Sequence, residues 1–246
     1  MDDKKWFMGK QNKFRYNMGV VVIYTHTDMK DVWVPFFGQM KKYMSNYKTY
    51  VCVNSKSDEI PSDYIQIYYD DTKSYTERLV EALSQIEEEV ILFTHEDMIL
   101  FNEPNYEYLD KYFSYVTDKK LDSIKLIYAG EGGIKSEIDD TLVINDYSKF
   151  SIQPTIITKK IIIDIAYGLG SKTIWEMEES IVGSGMDFSA RLGNEKKRGY
   201  YHYDSFVYPY VATAINKGKW NFTEYQKELD VLFTEYNINP FERGIV

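Results

Sequence analysis

Residues 74–100 read SYTERLVEALSQIEEEVILFTHEDMIL. Ser74 with Glu77 three residues later is a capping box, in which each side chain satisfies a free backbone N–H at a helix start. Leu79, Val80, Leu83 and Ile86 then recur at helical spacing and predict an amphipathic helix. The short apolar run Val90–Phe93 follows, the pattern of a strand buried on both faces. It leads straight into His95, Glu96 and Asp97. Helix, buried strand and then acids is the grammar of a doubly wound sheet, which places its sites at the carboxyl ends of its strands.

Working outward, Met18–Thr25 (MGVVVIYT) reads as another buried parallel strand. A helix should follow it, with Asp31 as N-cap, Pro35 in the first turn, and Trp33, Phe36, Phe37, Met40 and Met44 on its apolar face. Thr49–Asn54 and Tyr64–Tyr69 read as two more strands, which makes the first half β-α-β-β-α-β. Towards the C-terminus, Asn105–Val116 reads as a helix, and Ile124–Tyr128 and Leu142–Asn145 as strands. Ser151–Thr158 reads as a strand in which Pro154 marks a bulge or edge. Lys159–Tyr167 reads as a helix closed by Gly168, Trp175–Val182 as a short acidic helix, and Thr223–Tyr236 as a closing amphipathic helix. Residues 183–204, rich in glycine and poor in aliphatics, are expected to form a mobile loop. The class expected is α/β: one Rossmann-like domain over residues 1–246, its central sheet mixed and mostly parallel, flanked by helices, with residues 1–17 a loose arm.

Bulk properties narrow the function. The formal net charge is -9, so the overall field repels nucleic acid. The single cysteine, Cys52, excludes an intrachain disulfide and a Cys-rich metal site. No stretch reaches the ~20 apolar residues a membrane span needs. MDDKKWFMGK lacks a signal-peptide core, so a soluble, cytoplasmic protein is expected, peripheral if it meets a membrane. The 23 tyrosines suit stacking on sugar or base rings, but codon bias explains them equally, and no function is read from them.

Four constellations could carry chemistry. His95-Glu96-Asp97 could hold a divalent cation that neutralises a diphosphate, or be a solvated turn. In Trp175-Glu176-Met177-Glu178-Glu179, crowded carboxylates could raise one pKa and make a general base; an acidic first helical turn is the plainer reading. Lys196-Lys197-Arg198, followed by Tyr200-Tyr201-His202, could fold over a diphosphate or be a solvated charge run, and Lys217 and Lys219 are a weaker phosphate candidate. Arg78 could reach a ligand or pair with a neighbouring Glu. No Gly-rich phosphate loop follows the first strand, where the sequence is THTDMKDVW, and no G-x-S-x-G elbow occurs.

Taken together, VVIYTHTDMKDVWVPFFGQMKKY, SYTERLVEALSQIEEEVILFTHEDMIL, SIQPTIITKKII and TIWEMEE resemble four segments of a family of small GT-A-fold glycosyltransferases found in bacteria and large DNA viruses. The likeness spans roughly residues 19–240, with short motifs in matching order and spacing. It implies that Asp97 coordinates Mn²⁺ or Mg²⁺ on the donor diphosphate, with His95 and His202 as further metal candidates. It implies that Thr25 and Asp28 lie near the nucleotide, that Arg78 and Glu96 face the donor, and that Gln153 lines the sugar or acceptor pocket. Glu178 would be the base of an inverting displacement, with Glu179 as its fallback. The usual D-x-D begins with an acid, and this chain has His95 there; either Glu96 does that work or the donor ribose is held differently.

The expected activity is therefore metal-assisted transfer of sugar from a UDP- or GDP-sugar to a glycan hydroxyl. Two other functions stay in view. A sugar-nucleotidyltransferase also handles metal and diphosphate but needs a Gly- and Arg-containing loop after the first strand, and residues 25–33 contain neither. A non-catalytic carbohydrate-binding protein would not need Asp97 or Glu178.

Overall fold

The β-branched run after Gly19 forms β1, Val20–Tyr24, with every residue buried. The computed structural model describes residues 19–128, 134–144, 151–180, 188–191, 197–198 and 202–246, so the arm expected over residues 1–17 lies outside the described residues. In chain order, β1 is followed by α1 (Lys30–Tyr43), β2 (Lys48–Val53), β3 (Ile65–Tyr68), α2 (Tyr75–Leu83), β4 (Val90–His95) and α3 (Tyr106–Thr117). Then come β5 (Ser123–Lys125), β6 (Ile134–Lys135), β7 (Leu142–Ile144), β8 (Thr155–Thr158), α4 (Lys159–Leu169) and α5 (Ile174–Ser180). The described chain ends with β9 (Phe188–Arg191), β10 (Lys197–Arg198), β11 (His202–Tyr203), β12 (Ile215–Asn216), β13 (Lys219–Trp220), α6 (Phe222–Tyr236) and α7 (Pro240–Arg243).

The central sheet is mixed, with strand order β3-β2-β1-β4-β8-β5-β9-β7-β6. From β3 to β4 all pairings are parallel. Antiparallel β8 then joins β4 to β5. The chain builds outward from β1 through β2 to β3, and then returns to lay β4 on the other side of β1. That reversal is a topological switch point, where open α/β sheets leave a crevice beyond the carboxyl ends of the strands. In register, Tyr24 pairs with Cys52 on one side and His95 on the other, so the last residues of β1 and β4 end side by side.

Helices cover the sheet as the α/β class requires: α1 packs with α6, and α2 with α4 and α5. Fully buried Trp33, Phe36 and Met40 come from the predicted apolar face of α1. The capping box at Ser74 and Glu77 is formed at the start of α2. Among the described residues, no helix is long and apolar enough to cross a membrane.

Three local expectations are corrected. Asp31 does not cap α1; a 3-10 turn over Thr27–Met29 leads into the helix, and the Asp31 carboxylate pairs with Arg243 instead. A charged partner from the far end of the chain outcompetes the local cap. Helix α4 runs past Gly168 and stops at Gly170, whose φ of 67° is the left-handed region that glycine enters without steric cost. Within the stretch expected to be a loop, Phe188–Arg191 forms β9, inserted in the sheet between β5 and β7. Residues 183–187, 192–196 and 199–201 of that stretch, and residues 181–182 at the end of the expected acidic helix, lie outside the described residues.

Candidate functional site

At the switch point, a cavity of about 530 Å³ opens over the ends of β1 and β4. Tyr24, Thr25, His95 and Glu96 form its floor, the start of α2 supplies Tyr75 and Arg78, and Trp175 enters from α5. The sequence explains the rigidity of this floor. Strand β4 is buried nearly throughout, so the residues that leave it are held by the sheet.

Glu96 is buried, and its Oε2 atom has no hydrogen-bond partner. Burial pushes its carboxyl pKa upward, and the neighbouring Asp97 charge raises it further. The Asp97 carboxyl is also raised, by burial first and then by the charge of Glu178. Burial and mutual repulsion outweigh the positive charge that acts on the pair, Arg243 on Glu96. Thr25 bears on the same pair: its Oγ1 accepts the Trp33 indole N–H at 2.6 Å, and its hydroxyl favours the charged form of Glu96.

His95 is occupied. Its Nε2 lies 3.0 Å from the Tyr75 hydroxyl, and its ring stacks on Tyr24 at 5.2 Å. Burial drives its pKa down to about 3, so the imidazole is neutral at physiological pH.

Glu178, on α5, accepts the Ile152 backbone N–H at 2.6 Å through Oε1. Burial raises its pKa, while that hydrogen bond and the charge of Lys125 oppose the rise. Glu178 thus lies within electrostatic reach of Asp97. Glu176, two residues earlier, caps the start of α5 by accepting from the Thr173 N–H at 2.8 Å. Burial and hydrogen bonding together separate the two described acids of the W-E-M-E-E run: Glu176 is exposed and caps its helix, while Glu178 is half-buried.

The other sequence candidates divide. Arg78 lines the cavity, anchored to Asp71 at 3.0 Å and to the Lys73 carbonyl at 2.8 Å, and lies over the Tyr69 ring. Asp28 is exposed on the turn after β1, where its N–H donates to His26 Nδ1 at 3.1 Å. Gln153 is buried and tied down: its Oε1 accepts from the Tyr210 hydroxyl at 2.6 Å and its Nε2 donates to the Ala212 carbonyl. Its partner Tyr210 in turn feels the Asp97 charge. His202 lies on β11 opposite Arg198, and Glu179 follows Glu178 on α5; the side chains of both lie outside the described residues.

Arg198 is not open to a diphosphate. It pairs with Asp204 at 2.8 Å and with Glu228, and its N–H groups also reach the Glu224 carbonyl. Lys196 lies outside the described residues. Lys217 and Gly218 form the β12–β13 turn, both at positive φ. Sequence reasoning missed Tyr75, Tyr210 and Lys125, and named Trp175 only as the start of the acidic run. The one visible signal was Lys125, a charge inside an apolar strand run.

A hard cation fits the acid pair. Among the described residues, no three His, Cys, Asp or Glu side chains gather as a complete metal site. Mg²⁺ commonly takes only one or two carboxylates and completes its shell with water and substrate phosphate. Glu96 and Asp97, with a partnerless oxygen and raised pKa values, supply that kind of donor set.

No protein-family model matches the chain, and no curated protein matches it in sequence. Several solved structures resemble it. S. aureus TarS (residues 1–349) is 12% identical, the match covering 91% of this chain and 68% of that one, with a TM-score of 0.45. HddC from Yersinia pseudotuberculosis is 15% identical over 70% of this chain and 89% of its own, with a TM-score of 0.45. The bifunctional IspDF from Campylobacter jejuni is 13% identical, covering 77% of this chain, with a TM-score of 0.43; this chain spans about half, 52%, of its length. Scores and identities this low carry no functional inference, and the α/β class follows from the sheet order itself.

Proposed function

We propose that this protein is a glycosyltransferase of the GT-A type, which moves a sugar from a nucleotide-diphosphate sugar to a glycan hydroxyl with inversion. One observation carries the reading: an acid pair, buried Glu96 and half-buried Asp97, stands at the switch point of the sheet, with a third carboxylate, Glu178, in electrostatic reach. The aromatic and cationic walls of the adjoining cavity, Tyr24, Tyr75 and Arg78, suit a nucleotide with its diphosphate over the acid pair.

In this reading Asp97, with Glu96 beside it, holds Mn²⁺ or Mg²⁺. Such a cation neutralises the charge that grows on a departing diphosphate. Glu178 takes the proton of the acceptor hydroxyl as that oxygen bonds to the anomeric carbon and the bond to the diphosphate breaks. A raised carboxyl pKa suits this work, because proton transfer is most efficient when the base's pKa lies near the working pH. His95 supports the site from behind, its Nε2 engaged by Tyr75. Arg78 presents fixed positive charge at the cavity wall.

The test is a thermal-shift titration with UDP and GDP, each with and without Mn²⁺, on the wild type and Asp97→Ala. One nucleotide is expected to stabilise the wild type only with metal, and the variant to lose that gain. A folded protein that binds neither nucleotide at any metal concentration loses this function.

A further inference from the structure

Lys125 ends β5, a strand enclosed between β8 and β9. Its Nζ donates to Ser151 Oγ at 3.0 Å. The next residue, Ile152, gives its backbone N–H to Glu178 at 2.6 Å. The ammonium and the carboxylate thus hang from two consecutive residues, Ser151 and Ile152, although β5 and α5 are far apart in sequence. No hydrogen bond or ion pair within 4.0 Å joins them directly, yet each feels the other's charge. They are held near one another by adjacent anchors without a direct contact.

We propose that Lys125 is a positioning residue for Glu178: anchored on Ser151, next to the residue that anchors Glu178, it places a positive charge near the carboxylate and favours its anionic, proton-accepting form. The inference rests on the reading of Glu178 as the base. Burial disfavours the anion at Glu178, and Asp97, following β4, adds a second negative charge. Tyr75, from α2, also faces Glu178. On its own helix, Glu176 is turned away to Thr173 and Lys172. Among the described residues, Lys125 is the cation that opposes these effects.

The lysine is itself held at a cost. Burial pushes its amine down to about 8, and Glu178 is the charge that pulls it back. A methionine of the same length would fill the volume without that penalty, since replacing a buried charge by an apolar side chain is often neutral or stabilising. An amine at this position brings a charge near Glu178 and a hydrogen bond to Ser151, neither of which methionine supplies.

The test reads Glu178 directly and needs no acceptor. The full chain is labelled with [5-¹³C]glutamate, the Glu178 carboxyl signal is assigned by its loss in Glu178→Gln, and its titration is followed in EDTA. In Lys125→Met the Glu178 midpoint is expected to rise by about one pH unit or more. Lys125→Arg is expected to return it towards the wild-type value. Lys125→Gln, which can keep a hydrogen bond to Ser151, is a second uncharged variant in case Lys125→Met does not fold. A midpoint that is the same in wild type and in a folded uncharged variant overturns the inference, whatever the nucleotide titration shows. So does a rise in Lys125→Arg as large as that in Lys125→Met, because charge would then not be the cause. Transfer assays on Glu178→Gln test the base reading separately.

Discussion

The Tyr75 hydroxyl and His95 Nε2 lie 3.0 Å apart and tie the first turn of α2 to the last residue of β4. His95 is buried and Tyr75 half-buried at the cavity lining. In Tyr75→Phe the imidazole nitrogen loses its partner, and an unsatisfied buried polar atom costs ~1–3 kcal/mol. The expected result is a lower midpoint in chemical denaturation with an unchanged slope. His95, with its pKa driven to about 3, should remain neutral in both proteins from pH 5 to pH 8. A histidine NMR signal that titrates near its ordinary value would contradict the burial seen here.

Gly19 leads into β1 beneath Phe113 of α3, which is completely buried. A Cβ at Gly19 would lie 2.2 Å from the Phe113 ring, closer than packed atoms come. Gly19→Ala is therefore expected to destabilise by ~1–3 kcal/mol, the usual range for overpacking a core. Adding Phe113→Leu should recover part of the loss, which calorimetric melting of the single and double variants would measure. If the two losses simply add, the clash is not the cause.

Local signals in the sequence were legible where local forces dominate. The capping box at Ser74 and the buried runs of β1 and β4 need only their own neighbours, and they formed as the pattern implies. The acids after β4 could be placed at a strand end for the same reason. What could not be read depends on partners distant in the chain. Asp31 looks like a cap until Arg243, 212 residues away, claims it. Phe188–Arg191 carries no aliphatic run and becomes a strand because β5 and β7 leave a place for it. The nearness of Glu178 to Asp97, and of Lys125 to Glu178, exists only once α5, β4 and β5 are brought together.

The acid pair sets a pH dependence of unusual sign. Glu96 and Asp97 have folded-state pKa values raised by burial, so the folded chain keeps protons that the unfolded chain releases above ~4. Where the native state binds more protons, stability falls as pH rises. In EDTA, wild-type stability relative to a Glu96→Gln/Asp97→Asn variant should decline from pH 5 to pH 8, with a slope of up to ~1.4 kcal/mol per pH unit for each proton retained. Taking the difference removes carboxylates of opposite sign such as Asp139, whose pKa is pushed down to about 2, chiefly by Lys111 against the cost of burial. Mg²⁺ should stabilise the wild type more at pH 8 than at pH 5, because it competes with those protons. Denaturation curves at each pH provide the check, and a flat difference would mean that the pair is already ionised.

Glu178→Gln separates chemistry from binding. The glutamine Oε1 can still accept the Ile152 N–H, so α5 should keep its position. Removing a carboxyl whose charged form is disfavoured by burial should cost little stability. Metal-dependent stabilisation by the nucleotide should be unchanged, because it depends on Asp97. Transfer to acceptor should fall by about 10²–10⁴-fold, the usual contribution of a positioned general base. With a donor chosen from the nucleotide titration, release of nucleoside diphosphate in the presence of acceptor measures the loss. The remaining activity should also lose the acid limb of its pH profile, since no group is left at that position to be protonated. A variant that binds nucleotide and turns over at the wild-type rate would move the base elsewhere, with Glu179 the next residue to replace.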